Sequence, residues 1–203
     1  MKIAKEIYFL EKGSKEDKEI FEALLKQVRT GIKRVVWPEG NSQFIINPVA
    51  KENGVVPIKI NFIEYLQSKN WLVQKTVSLV KGNGPGKLDA LYQHKKGNVA
   101  LEWETGNISS SHRAINKMAI ALFQKNIIGG IIVVPIRHLA RYLTDRIGNL
   151  EELAPYFPLW ENLNIARGLL VIIGIDYDGT SEKVAFIPKG TDGNAKKKKK
   201  EKS

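Results

Sequence analysis

The 203-residue chain is expected to form a single α/β domain in which helices flank a central mixed β-sheet. Three observations lead there. Helix-like and strand-like segments alternate along the chain. Residues 127–136 and 168–175 are apolar runs of the kind buried on both faces in α/β sheets. Residues 87–92 and 98–103 read as a hairpin, so at least one strand pair is antiparallel and the sheet is mixed.

Taken in order, Ser14-Lys15-Glu16-Asp17 has the form of a helix start, and Ile20, Leu24, Leu25, Val28 and Ile32 follow at helical spacing. Residues 37–57 hold turn formers around the short apolar stretch 44–46. Residues 60–67 suit a second helix. Residues 72–80 carry β-branched side chains on both faces before GNGPG at 82–86 interrupts the chain. After the hairpin, Ala114, Ile115, Met118, Ala119 and Leu122 mark one face of a helix over residues 109–123. Strands are expected at 127–134 and 168–175, and helical segments at 139–143 and 150–156. Residues 1–195 are expected to form this domain, with 196–203 as a disordered basic tail.

Composition narrows the function. Lysine and arginine number 32 against 21 acids, a formal +11. Residues 196–202, KKKKKEK, hold +5 of this and leave +6 for the rest. A polyanion such as DNA or an anionic membrane is a compatible partner, and an acidic calcium buffer is excluded. With no cysteine, disulfides, zinc ribbons and thiol nucleophiles are excluded as well. No apolar run approaches the ~18 residues of a membrane span, and the charge-interrupted N-terminus lacks a signal-peptide core. A cytoplasmic protein without membrane association is expected.

The hairpin concentrates acid. Period two sets Val99, Leu101 and Trp103 toward the core and Glu102 and Glu104 on the other face, ~6.6 Å apart. On the preceding strand Leu88, Ala90 and Tyr92 alternate with Lys87, Asp89 and Leu91. A two-residue turn at Lys95-Lys96 pairs residues whose numbers sum to 191 and sets Asp89 opposite Glu102; a four-residue turn sets Asp89 opposite Glu104. Either register gathers three carboxylates. Clustered carboxylates raise one another's pKa unless a cation intervenes, and a hard divalent cation that activates water is the simplest one. The strand then leads through Thr105-Gly106-Asn107 into a helix N-terminus, which attracts anions, and Asn107 and Arg113 are side-chain types that read purine edges. An ordinary acidic strand followed by a capped helix is the plain alternative.

LEWETGNISSSHRAINK at residues 101–117 closely resembles the active-site and recognition segment of the BamHI-like type II restriction endonucleases. The likeness continues, in the same order along the chain, at 53–59 (NGVVPIK), 142–146 (YLTDR), 151–157 (EELAPYF) and 187–193 (IPKGTDG). The resemblance implies a homodimeric, Mg²⁺-dependent member of the PD-(D/E)xK nuclease superfamily. Such an enzyme cuts double-stranded DNA at the palindrome GGATCC after the first G, leaving 5′ overhangs, with a cognate DNA methyltransferase as its genetic partner. It further implies Asp89 and Glu102 as metal ligands, joined by the backbone carbonyl of Trp103, and Glu104 as general base or second-metal ligand. Asn107, Ser109, Arg113, Asp145 and Arg146 would be major-groove base contacts. Asp192 and Gly193 would belong to an arm reaching the minor groove, and Lys59 would lie near the DNA.

The chain departs from the family pattern at three places. Gln74 stands where the family's best-known enzyme has a further active-site glutamate. Phe123 and Gln124 replace charged residues of its dimer helices. A lysine run ends the chain in place of a longer helix. Asp176-Tyr177-Asp178-Gly179-Thr180 imitates a phosphatase motif, but the 23 residues after it are too few for that fold, so it reads as a turn. His94, His112 and His138 are scattered and suit surface or capping roles. A non-catalytic, sequence-specific DNA-binding protein is the competing function.

Overall fold

The computed structural model describes residues 1–81, 86–144 and 146–189. Asp145, Asp192, Gly193, most of the GNGPG break and the domain boundary expected at 195/196 lie outside these residues.

A six-stranded mixed sheet forms the centre, its strands in the order β1 (Lys2–Lys12), β7 (Gly168–Asp176), β6 (Gly129–Pro135), β5 (Val99–Trp103), β4 (Gly86–Tyr92) and β3 (Leu72–Val77). The pairs β5–β6 and β6–β7 are parallel, and the remaining neighbours are antiparallel. A second, two-stranded parallel sheet joins β2 (Ile45–Ile46) to β8 (Gly179–Thr180). The expected α/β class and mixed sheet are both present.

Helices cover the two faces. On one, Phe21, Leu24, Leu25, Val28 and Ile32 of α1 (Lys15–Lys33) and Phe62, Ile63 and Leu66 of α2 (Ile60–Ser68) pack on Val99, Leu101, Trp103 and the inner β6 and β7 residues. On the other, Ala114, Ile115, Met118 and Leu122 of α3 (Ile108–Phe123) meet Ala100, Ile132 and Ile172, with Leu150 and Leu153 of α5 (Leu150–Leu153) and Trp160 of α6 (Phe157–Glu161) beside them. Each fully buried Leu or Ile contributes about 1.5–3 kcal/mol, so each helix is held to the sheet mainly by its apolar face.

Helix α1 begins at the expected place, where Ser14 and Asp17 form a reciprocal capping box. Asp17 also takes two hydrogen bonds from Arg167, and that guanidinium, with help from Ser14, holds its carboxyl well below the ordinary value.

Several expectations need correcting. The N-terminal residues 2–12 form a full edge strand paired with β7, although their charges hide it. Those charges blunt an exposed strand edge. Strand β5 is not an acidic strand facing solvent: all five of its residues are buried, because α3 covers the second face. The segment at 139–143 is a single turn of helix, α4 (Arg137–Ala140), followed by a turn. His138 is no mere surface residue, since its Nδ1 meets Asp176 at 3.1 Å and its Nε2 meets the Tyr177 hydroxyl at 2.6 Å. The Asp176–Thr180 stretch carries structure: Asp178 accepts hydrogen bonds from the N-terminal amine (2.7 Å) and the Phe44 N–H (2.8 Å).

Candidate active site

The hairpin register decides how the carboxylates meet. Gly97 N–H donates to the His94 carbonyl at 2.9 Å, so Lys95-Lys96 forms the two-residue turn. The paired residues are Tyr92–Val99, Leu91–Ala100 and Ala90–Leu101, and the ladder stops one step short of Asp89 opposite Glu102. There the side chains take over from the backbone. Trp103 N–H donates to Asp89 Oδ2 at 2.8 Å, and Asp89 N–H donates to Glu102 Oε2 at 3.2 Å. Strand alternation breaks at the same point, since Leu88 and Leu91, three apart, pack in the same cluster. On the other side of β4, Gln74 falls opposite Asp89 in the register of the flanking pairs yet is itself unpaired, with a left-handed φ of 50°.

Two ammonium groups reach this point. Lys59, at the end of a 3-10 turn (Val56–Lys59), pairs with Asp89 Oδ1 at 2.7 Å, and Lys117 of α3 pairs with Glu102 Oε1. Glu102 is 7% exposed, and burial pushes its carboxyl up while Lys117 pulls it down. Glu104 lies just past β5, its N–H on the Val133 carbonyl at 2.8 Å. Burial, reinforced by the charges of Glu102 and Asp89, pushes the Glu104 carboxyl up to about 7. Asp89, Glu102, Glu104, Lys59 and Lys117 line one cavity of about 690 Å³ together with Arg113.

The structure thus brings Lys59, Asp89, Glu102, Trp103 and Glu104 together, and it adds Lys117. Sequence reasoning gave Lys117 no role, although it lies four residues after Arg113 and so on the same face of α3. The helix starts one residue earlier than expected, and its N-cap is Asn107, whose Oδ1 accepts from Ser110 N–H at 3.0 Å. Asn107, Ser109 and Arg113 are exposed at this helix start. Arg146 is exposed on a separate loop, joined to the helix start by the Gly148 N–H bond to the Gly106 carbonyl at 2.9 Å.

Among the described residues no group of three or more acidic or histidine side chains converges as a ready-made metal cage. Two carboxylates of hard oxygen donors, with a third whose ionisation is opposed by burial and then by the charges of Glu102 and Asp89, nonetheless fit a hard divalent cation that takes one or two carboxylates plus waters and substrate phosphates. The observation that supports the fit is the meeting of Asp89, Glu102 and Glu104 around one cavity.

Clustered carboxylates at the end of a mixed sheet, beside the exposed start of a polar helix, can hold a divalent cation against an anionic substrate. The chain belongs to the BamHI family of restriction endonucleases, whose family model, restriction endonuclease BamHI, matches residues 1–194. It is 48% identical over 172 residues to the type II restriction enzyme OkrAI of Oceanobacter kriegii, covering 85% of this chain and 89% of that protein. It is 38% identical over 179 residues to the type II restriction enzyme BamHI of Bacillus amyloliquefaciens, covering 84% and 82%. Among solved structures, restriction endonuclease BglII in complex with a DNA 16-mer aligns with a TM-score of 0.41 and 11% identity, over 58% of this chain and 54% of that one.

Proposed function

We propose that the protein is a Mg²⁺-dependent endonuclease that hydrolyses double-stranded DNA at GGATCC, cutting after the first G to leave 5′ overhangs. The observation that carries the chemistry is the meeting of Asp89, Glu102 and Glu104 in one cavity beside the exposed first turn of α3. The target sequence rests on the resemblance of residues 101–117 and 142–146 to the family's recognition segments, with the 38% overall identity to the BamHI relative in support.

In this reading Asp89 and Glu102, with the Trp103 carbonyl, hold the cation. When bound, it polarises the phosphodiester and lowers the pKa of an attacking water. Glu104 accepts the proton as water oxygen bonds to phosphorus and the P–O bond to the leaving 3′ sugar oxygen breaks, that oxygen taking its proton from a solvent water. Its carboxyl is poised near neutrality for that role. Lys59 and Lys117 neutralise Asp89 and Glu102 until the cation arrives, and each then has a free ammonium for a DNA phosphate. Asn107, Ser109, Arg113 and Arg146 read base edges in the major groove, joined by Asp145, while Asp192 and Gly193 reach the minor groove.

A palindromic site calls for a two-fold dimer in which each subunit reads one half-site and cuts one strand. Phe123, 72% exposed at the end of α3, and Leu159 of α6 offer apolar contacts for a second copy. The neighbouring Gln124 accepts from Lys81 N–H instead. Residues 1–195 would be the enzyme and 196–203 a basic tail. The enzyme would act in the cytoplasm beside a methyltransferase protecting the same sequence.

Incubation with a plasmid bearing one GGATCC site tests the proposal. With Mg²⁺ the plasmid is linearised, and with Ca²⁺ it is bound uncut. Binding without cleavage under Mg²⁺ would instead identify a non-catalytic DNA-binding protein.

A further inference from the structure

Asn53 is a fully buried amide, 0% exposed, with both polar atoms of its side chain partnered by the main chain. Its Nδ2 donates to the carbonyls of Asn47 at 2.9 Å and Tyr142 at 3.0 Å, and its Oδ1 accepts from Ile187 N–H at 3.2 Å. The backbone repeats the pattern. Asn53 N–H donates to the Tyr142 carbonyl at 3.0 Å, and Gly54 N–H to the Ile187 carbonyl at 2.7 Å. Only a residue with both donor and acceptor at this branch satisfies two carbonyls and an N–H at once.

The segments joined here are distant in sequence and close in purpose. Tyr142 opens the loop that reaches Arg146, which sits at a left-handed φ of 66° and so needs a firmly held neighbourhood. Ile187 begins the stretch whose sequence continues to Asp192. From Asn53 itself the chain runs through the 3-10 turn to Lys59 and its ion pair with Asp89. The crossing is backbone against backbone: a Cβ on Gly54 would lie 1.9 Å from the Pro188 carbonyl oxygen.

We propose that Asn53 is a positioning residue for sequence discrimination, locking the Arg146 loop, the Ile187 stretch and the Lys59 turn into one register against the DNA. The inference rests on the proposed GGATCC-specific cleavage and deepens it. Asn53 touches no DNA in this scheme and acts through the backbone of Tyr142 and Ile187, whose segments lead to residues that do.

The test uses the full chain carrying Asn53→Asp, which removes both donors at unchanged size, or Asn53→Ser, which keeps a small polar group. For each, kcat and KM are measured on a GGATCC duplex and on duplexes with one base pair changed, well below the variant's thermal midpoint. The expected result is a kcat on GGATCC within about threefold of the parent's, a higher KM, and at least a tenfold loss of discrimination against changed sites. Equal loss on all duplexes, with discrimination intact, overturns the proposal. Failure of both variants to fold at any temperature also overturns it, since Asn53 would then hold the fold and not the reading segments. A parent protein that does not prefer GGATCC refutes the proposed function itself, and is recognised before any variant is made.

Discussion

The carboxylate of Asp89 accepts the backbone N–H of Trp103 at 2.8 Å and so stands in for the ladder hydrogen bond that β4 and β5 lack at this step. One oxygen is structural, and the other meets Lys59 at 2.7 Å. Asp89→Asn keeps an oxygen for Trp103 and removes the charge. It is expected to fold with an unchanged thermal midpoint and to bind GGATCC duplex in Ca²⁺. Cleavage should fall by more than the roughly 10–100-fold that losing a residue which merely orients a metal ligand costs. A variant that cuts at the parent's rate would sink the assignment of Asp89 to the cation.

Lys117 and a divalent cation compete for Glu102. Lys117→Gln leaves a mostly buried carboxylate without its ammonium, which costs about 1–3 kcal/mol of stability in metal-free buffer. The same change removes the competitor. Mg²⁺ should therefore raise the variant's thermal midpoint by more than it raises the parent's, through ligand linkage. Equal or smaller increments would show that Lys117 and the metal occupy separate places.

The helix start at Ser14, the apolar stripe of α1 and the existence of the hairpin were legible because each depends on residues near one another in sequence, while the choice between the two-residue and four-residue turns was made only by the Gly97 to His94 hydrogen bond. Asp89 and Glu102 could be brought together on those terms. The Lys59–Asp89 and Lys117–Glu102 pairs could not, since each needs a helix or turn packed onto the sheet from another part of the chain. Strand β1 was hidden for a related reason: it is defined by its long antiparallel pairing with β7, while its own sequence shows mostly the charges of an edge. The break in alternation at Asp89, which puts Leu88 beside Leu91, follows from the carboxylate hydrogen bonds and leaves no periodic signal.

Glu104 makes stability depend on pH. Its carboxyl is raised from 4.5 to about 7 by burial first and then by Glu102 and Asp89. Between those values the folded protein keeps a proton that the unfolded chain has lost. Stability therefore falls as pH rises through the window, and the full penalty, on the order of 2–3 kcal/mol, applies above it. Glu104→Gln is neutral at every pH, so in EDTA it should melt roughly 4–8 °C above the parent at pH 8 and level with it at pH 4. No gain at pH 8 would mean that Glu104 is ionised without cost.

Phe123 tests the dimer. Its ring is 72% exposed at the end of α3, where the proposed dimer would cover it. Phe123→Asp should leave the monomer fold intact, because the ring is outside the core, and should weaken self-association. If the proposed dimer forms, sedimentation equilibrium would show the variant as monomer at concentrations where the parent self-associates, and the variant would nick more than it linearises. Unchanged association would move the interface elsewhere.

Arg146 holds its left-handed φ of 66° with a long charged side chain, where only glycine would be free of strain. Arg146→Gln preserves that backbone cost, so any loss reports the guanidinium alone. If the guanidinium reads a guanine edge, binding in Ca²⁺ should weaken by about 1–3 kcal/mol on GGATCC, with the preference relaxed at one base pair of each half-site. The salt dependence should change little. A uniform loss on every sequence, with the slope of log affinity against log salt reduced by about one, would make Arg146 a phosphate contact instead and leave the reading of the half-site to the first turn of α3.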